Sequence, residues 1–289
     1  MRVRSLAALA LGATLLAGCT VPRPSGDGPL RYRDQVFGNV TVTPNITYGS
    51  APNAQGEPVD LKLDLYQPAG DTVAKRPALV WVHGGGFHQG SKSSGASKAT
   101  FFAKLGYVAA SIDYRLLAPA GCSQNPDQPI CTTAALAAQH DAQAAVRWLR
   151  ANAVTHRIDT SRIAMGGGSA GAVTSLLVGW RSEDPGTSGN PGHSSAIRAA
   201  VSVSGGIPTS EYIDRSDPPT LFFHGTEDPV VPFGWAINNA AAMYSLGIFT
   251  VFESIDGAGH GLSGSHAQLI NEQSDYFLYY AMDLPGAQR

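Results

Sequence analysis

Cysteine is scarce in this sequence. Its 289 residues hold three, Cys19, Cys122 and Cys131, and neither a second Cys pair nor a His spacing completes the four ligands of a structural metal site. Charge is scarce as well. Charged residues make up 15% of the chain and the formal net charge is -2, which leaves no broad basic surface for nucleic acid. No internal repeat and no sustained heptad runs through the chain, which argues against solenoids and coiled coils. The apolar stretch 5–17 is too short to cross a bilayer as a helix. What remains is a chain with 43% hydrophobic residues, enough for one large core and one folded domain.

That short apolar stretch follows the basic start Met1-Arg2-Val3-Arg4, the pattern of a secretion signal. It ends in Leu16-Ala17-Gly18-Cys19, which resembles the bacterial lipobox. The resemblance implies that residues 1–18 are a lipoprotein signal peptide and that Cys19 is lipidated, two or more acyl chains giving a stable membrane anchor. An exported cell-envelope lipoprotein is the expectation. Residues 19–38 then comprise the lipidated cysteine and a Pro/Gly-rich tether, in which Pro22, Pro24, Gly26, Gly28 and Pro29 predict a structureless spacer. The folded domain is expected over 39–289. In an oxidising compartment, Cys122 and Cys131 read as a disulfide across a short polar loop.

Segments 39–48 and 59–67 read as strands, the second with strict alternation in Leu61-Lys62-Leu63-Asp64-Leu65. Apolar runs at 78–82, 107–113, 162–167, 199–204, 220–224 and 249–253 supply further strands, continuous enough for burial on both faces. Helical spacing falls between them at 97–105, 134–151, 172–178, 233–246 and 266–282. This alternation predicts an α/β fold with a mostly parallel sheet of about eight strands and helices on both faces.

One of those strands runs into Gly167-Gly168-Ser169-Ala170-Gly171 and a helix follows at once. The Gly-x-Ser-x-Gly form lets the chain turn sharply with the serine hydroxyl on top of the sheet. A serine needs a base to take its proton, and the base needs an acid to orient it. Downstream, Gly225-Thr226-Glu227-Asp228-Pro229 follows a strand and offers Asp228 as the acid, favoured by spacing, with Glu227 as competitor. Gly257-Ala258-Gly259-His260-Gly261 then offers His260 as the base. Of the eight histidines, His224 at a strand end reads as structural. Upstream, His83-Gly84-Gly85-Gly86 supplies backbone N–H groups for an oxyanion. Gly85 and Gly86, with the N–H of Ala170, are the expected donors. His83 and Gly84 are expected to support that loop.

Together with Asp113-Tyr114-Arg115-Leu116 and Asp228-Pro229-Val230-Val231-Pro232, these motifs resemble the α/β-hydrolase serine carboxylesterases of the hormone-sensitive-lipase and feruloyl-esterase-like kind. The resemblance runs from about residue 60 to the C-terminus. It implies a Ser-His-Asp triad, a covalent acyl-enzyme, and neither metal nor organic cofactor. Three departures are visible. Gly168 stands where relatives often have an acidic residue, the segment 21–37 is too short for a helical cap, and 205–219 leaves no room for a lid. The expected cleft is open, with walls from 116–133 and 182–195.

These readings converge on hydrolysis of short-acyl or aryl carboxylic esters. Alternatives share the machinery: a polymer-directed esterase acting on acetylated or feruloylated polysaccharide or on polyester, and a peptidase. A hydrolase-fold binding protein without turnover predicts damage to the triad or the oxyanion loop, and every residue type needed is present.

Overall fold

In a computed structural model of the chain, residues 20–120, 122 and 128–285 are described. Cys19 and the signal segment lie outside them. The core is one eight-stranded sheet in the order β1-β2-β4-β3-β5-β6-β7-β8. Two antiparallel strands, β1 (Val40–Pro52) and β2 (Pro58–Pro68), form one edge. The other six run parallel: β3 (Arg76–Val82), β4 (Val108–Ile112), β5 (Ile158–Gly168), β6 (Ala199–Val203), β7 (Thr220–Gly225) and β8 (Thr250–Ile255).

Alternation along each strand assigns its side chains to two layers. In β3, Leu79 and Trp81 join a core with Phe102 of α1 (Ala96–Leu105) and Phe277 of α7 (Ala267–Ala281). Ala78, Val80 and Val82 face the opposite way, against Ala138, Ala142 and Val146 of α2 (Pro129–Ala151). A third cluster joins α4 (Ala170–Trp180) and α5 (Phe233–Ser245) through Leu176, Ala236 and Phe252. Every residue of β3, β4, β6 and β7 is buried, which is why these strands read as continuous apolar runs. Short helices α3 (Ala153–His156) and α6 (Leu262–Ser265) complete the set.

The order matters for function. From β3 the chain crosses to β4 on one side and returns to β5 on the other, so the strand order reverses at β3/β5. In open parallel sheets ligands bind at such a reversal, beyond the carboxyl ends of the strands. His83-Gly84-Gly85-Gly86 leaves β3 there and Ser169 leaves β5.

Two expectations need correction. The tether does not hang free: Val21 N–H donates to Gln273 Oε1 at 2.9 Å, Tyr32 N–H donates to Leu105 O at 2.8 Å, and Arg31 pairs with Asp71. Val21, Tyr32 and Arg33 are buried. Proline and glycine removed regular structure from this stretch and left its contacts intact. The long helix α2 also begins at Pro129 rather than 134, because proline is well suited to a first helical position, and it carries Cys131.

Candidate active site

Ser169 sits at the turn between β5 and α4 with φ 54° and ψ -120°, a conformation that costs energy for a non-glycine residue and recurs at functional sites. Its own N–H is tied to Val203 O at 2.9 Å. The flanking glycines have a steric reason: a Cβ on Gly171 would lie 2.1 Å from Val82 O, and one on Gly167 2.4 Å from Gly171 C. With no side chains there, α4 packs directly onto β3 and β5 and the Ser169 hydroxyl stands above the sheet.

His260 lies in the loop after β8. Its Nε2 is 2.8 Å from Ser169 Oγ, and its Nδ1 is 2.8 Å from Asp228 Oδ2 and 3.1 Å from Oδ1. Ser204 Oγ donates to His260 O at 3.0 Å, which fixes the loop. Asp228 follows β7 with its side chain fully buried. Oδ1 accepts the N–H groups of Val230 at 2.8 Å and Val231 at 3.0 Å. Burial alone would push this carboxyl up, but hydrogen bonds from His224, His260, Val231 and Val230 hold it well below the usual carboxylate range. Glu227, one residue earlier, is exposed. The geometry therefore joins Asp228, not Glu227, to His260.

His224 does more than fill the core. Its Nε2 is 2.9 Å from Val231 O and 3.3 Å from Asp228 Oδ2. Facing two acceptors, this nitrogen carries the hydrogen and donates. Its place at a strand end four residues before Asp228 was visible in the sequence, yet nothing there aimed the ring. Ser204 was missed in the same way, and Tyr114 stood out only as part of a motif, without a role.

The loop after β3 is ordered by His83. Its Nδ1 donates to Gly84 O at 2.7 Å, its ring stacks on Tyr114 at 4.3 Å, and Tyr114 OH donates to His83 O at 3.1 Å. Burial pushes the His83 imidazole down. Gly85 O accepts the N–H groups of His88 and Gln89, both at 3.1 Å. Among the described residues, the N–H groups of Gly85, Gly86 and Ala170 meet no protein acceptor.

Two cavities share Ser169. An apolar one of about 210 Å³ is lined by Phe87, Val173, Leu177, Ile207, Val231 and Trp235, and Gly86 and Ala170 also border it. The Cys122–Cys131 disulfide, with Cα atoms 5.4 Å apart, forms part of its wall. The more polar of the two, about 350 Å³, lies beside His260 and is lined by Trp81, Ser94, Ser97, Lys98, Val203 and Ser263. Gly85 borders neither. The segment 182–195 does not wall the cleft as expected, because Arg147 of α2 binds Pro185 O and Gly189 O and Asp141 takes the Ser188 hydroxyl. The opposite wall comes instead from 206–209 and Tyr212, in a segment between β6 and β7 that holds no helix. Among the described residues no three His, Cys, Asp or Glu side chains form a metal cluster.

A family model described as BD-FAE matches residues 63–208, half of the chain. The chain belongs to the BD-FAE family. That match contains the His83 to Gly86 loop and Ser169 but ends before Asp228 and His260, so those two rest on the geometry above. This BD-FAE chain is 25% identical over 274 residues to esterase LipC of Mycobacterium tuberculosis, an alignment covering 81% of this chain and 62% of LipC. The chain thus spans under two thirds of that relative's length. Its fold matches a truncated carbohydrate esterase from gut microbiota with TM-score 0.69 at 21% identity, over 86% of this chain and 98% of that one. Esterase Est2 of the planctomycete Thermogutta terrifontis matches with TM-score 0.68 at 26% identity, over 87% and 95%. Est2 structures also exist bound to butyrate and propionate and phosphorylated by paraoxon. The α/β-hydrolase fold expected from the sequence is the fold observed.

Proposed function

We propose that this BD-FAE protein is a serine hydrolase of carboxylic esters, with Ser169, His260 and Asp228 as its triad. One observation carries the reading: Ser169 Oγ, His260 and Asp228 form an unbroken hydrogen-bonded row at the strand-order reversal. The likeness to two esterases, LipC and Est2, supports it.

His260 Nε2 accepts the Ser169 proton as Oγ attacks the ester carbonyl carbon. The carbonyl oxygen becomes an oxyanion and is held by the N–H groups of Gly85, Gly86 and Ala170. Each such donor typically contributes about 100- to 1,000-fold in rate. The bond to the alcohol oxygen then breaks, and that oxygen takes the proton from His260 Nε2. The acyl group stays on Ser169. Water repeats the sequence, giving one proton to His260 as its oxygen attacks the acyl carbon. The acid leaves and Ser169 Oγ recovers its proton. Asp228 fixes the His260 ring and stabilises its charged form throughout.

A small apolar cavity suits short acyl groups, in keeping with butyrate and propionate in Est2. A cleft walled on one side by a helix-free segment also suits esters borne on polymers, and soluble against insoluble substrates separate the two. The test is hydrolysis of p-nitrophenyl esters from acetate to palmitate by the chain starting after Cys19, beside Ser169→Ala. Activity peaking at short chains and lost in the variant supports the reading. Equal turnover by the variant rejects Ser169.

We infer further that the protein is exported and anchored through lipid on Cys19. The basic start, the apolar stretch and Leu16-Ala17-Gly18-Cys19 support this, as does a disulfide suited to an oxidising compartment. Docking of Val21 on Gln273 would hold the domain close to such an anchor.

A further inference from the structure

The polar cavity beside His260 holds one lysine in its lining and no carboxylate. Lys98 Nζ donates to the neutral Asn271 Oδ1 and lies 5.0 Å over the Trp81 ring. Among the described residues no carboxylate lies within ion-pair distance of it. Lys98 is half-buried; an ammonium partly withdrawn from water without a counter-charge is costly, and burial pushes Lys98 down to about 7. Ser97 and Ser263 line the same space, where their hydroxyls can complete the hydrogen bonding of an anion, whereas the Ser94 hydroxyl donates to Ser91 O.

Chemistry assigns the two cavities. The departing alcohol oxygen must receive its proton from His260, and His260 borders the polar cavity only. The acyl chain is left the apolar cavity, and the alcohol half faces Lys98. We propose that the preferred substrates are esters whose alcohol half carries a carboxylate, bound by Lys98. Acylated hydroxy acids are the simplest members of that class. This rests on the serine-esterase reading above. The competing account makes Lys98 a tie between α1 and α7 through Asn271, which predicts no discrimination between charged and neutral alcohols.

The test compares the acetates of 3- and 4-hydroxybenzoate with their methyl esters, using wild type, Lys98→Met and Lys98→Arg. Each pair differs in the carboxylate charge on the leaving group. The ratio of kcat/KM, carboxylate over methyl ester, should fall about tenfold or more in Lys98→Met, the worth of one charge-assisted hydrogen bond. Lys98→Arg should keep it within about threefold of wild type. A ratio unchanged by Lys98→Met for both isomers, with the methyl esters still hydrolysed, overturns this proposal and leaves the esterase reading standing. Absence of wild-type turnover on all four esters overturns both.

Discussion

His224 Nε2 approaches Asp228 Oδ2 to 3.3 Å with both side chains fully buried. A buried carboxylate that loses a donor loses orientation as well as solvation, typically at about 1–3 kcal/mol. Replacing the ring by an apolar one of similar volume, His224→Phe, should therefore lower kcat/KM by about 10- to 100-fold, the cost passing through the aim of His260. His224→Gln, which can return an N–H to Asp228, should recover most of that loss. Steady-state kinetics on a p-nitrophenyl ester beside thermal melts of both variants make the check. Equal kinetic loss in Phe and Gln would mean that His224 only fills space.

The apolar cavity should set the acyl-chain limit. Trp235 and Leu177 border it, and truncating either extends it. Trp235→Ala should raise the octanoate-to-butyrate ratio of kcat/KM by about tenfold, the order expected for a few methylenes gaining a pocket. A chain-length profile that keeps its shape would place the acyl group elsewhere.

The disulfide joins the first turn of α2 to the loop before it. Cys122→Ala with Cys131→Ala should cost about 2–3 kcal/mol in stability, the range for closing a short loop, and should raise KM for apolar acyl groups because the same pair borders the cavity proposed for them. Urea unfolding and kinetics of the double variant read both effects. Unchanged values in both would remove the bridge from the site's support.

Asp217, in the segment between β6 and β7, offers a pH test. Burial pushes its carboxyl up to about 7, against the Asp214 N–H it accepts and with the charges of Asp214 and Glu183 adding to the rise. The folded carboxyl is raised above its unfolded value of about 3.9. Its contribution to stability is therefore fully present below about pH 4 and is lost as pH rises through about 7. Asp217→Asn keeps an acceptor for Asp214 and removes the titration. Between pH 4 and 8 the variant should gain about 1 kcal/mol on wild type, a figure discounted for partial solvent exposure. Parallel stability curves across that range would contradict the assignment.

The parts legible in the sequence were those where chemistry and sterics coincide. Buried parallel strands read as apolar runs, and the glycines around Ser169 announce a turn that admits no Cβ. The order Ser169, Asp228, His260 could be read because each follows a strand. Composition misled where it reports local structure but not contact. Pro24, Gly26 and Gly28 excluded regular structure from the N-terminal segment, yet their carbonyls accept from buried Arg33. The polar stretch 182–195 looked like a free wall because its partners, Arg147 and Asp141, lie far away in the chain. Lys98 gave no signal at all, since a lysine in an amphipathic helix ordinarily faces water.

Ser169 as the activated nucleophile is best tested by intact-protein mass spectrometry after treatment with paraoxon, followed by peptide mapping, on wild type, Ser169→Ala and His260→Ala. Wild type should gain one diethylphosphoryl group, located on Ser169, with no adduct on Ser169→Ala and a strongly slowed reaction for His260→Ala. An adduct on another residue, or equal labelling of Ser169→Ala, would contradict Ser169 as the activated nucleophile.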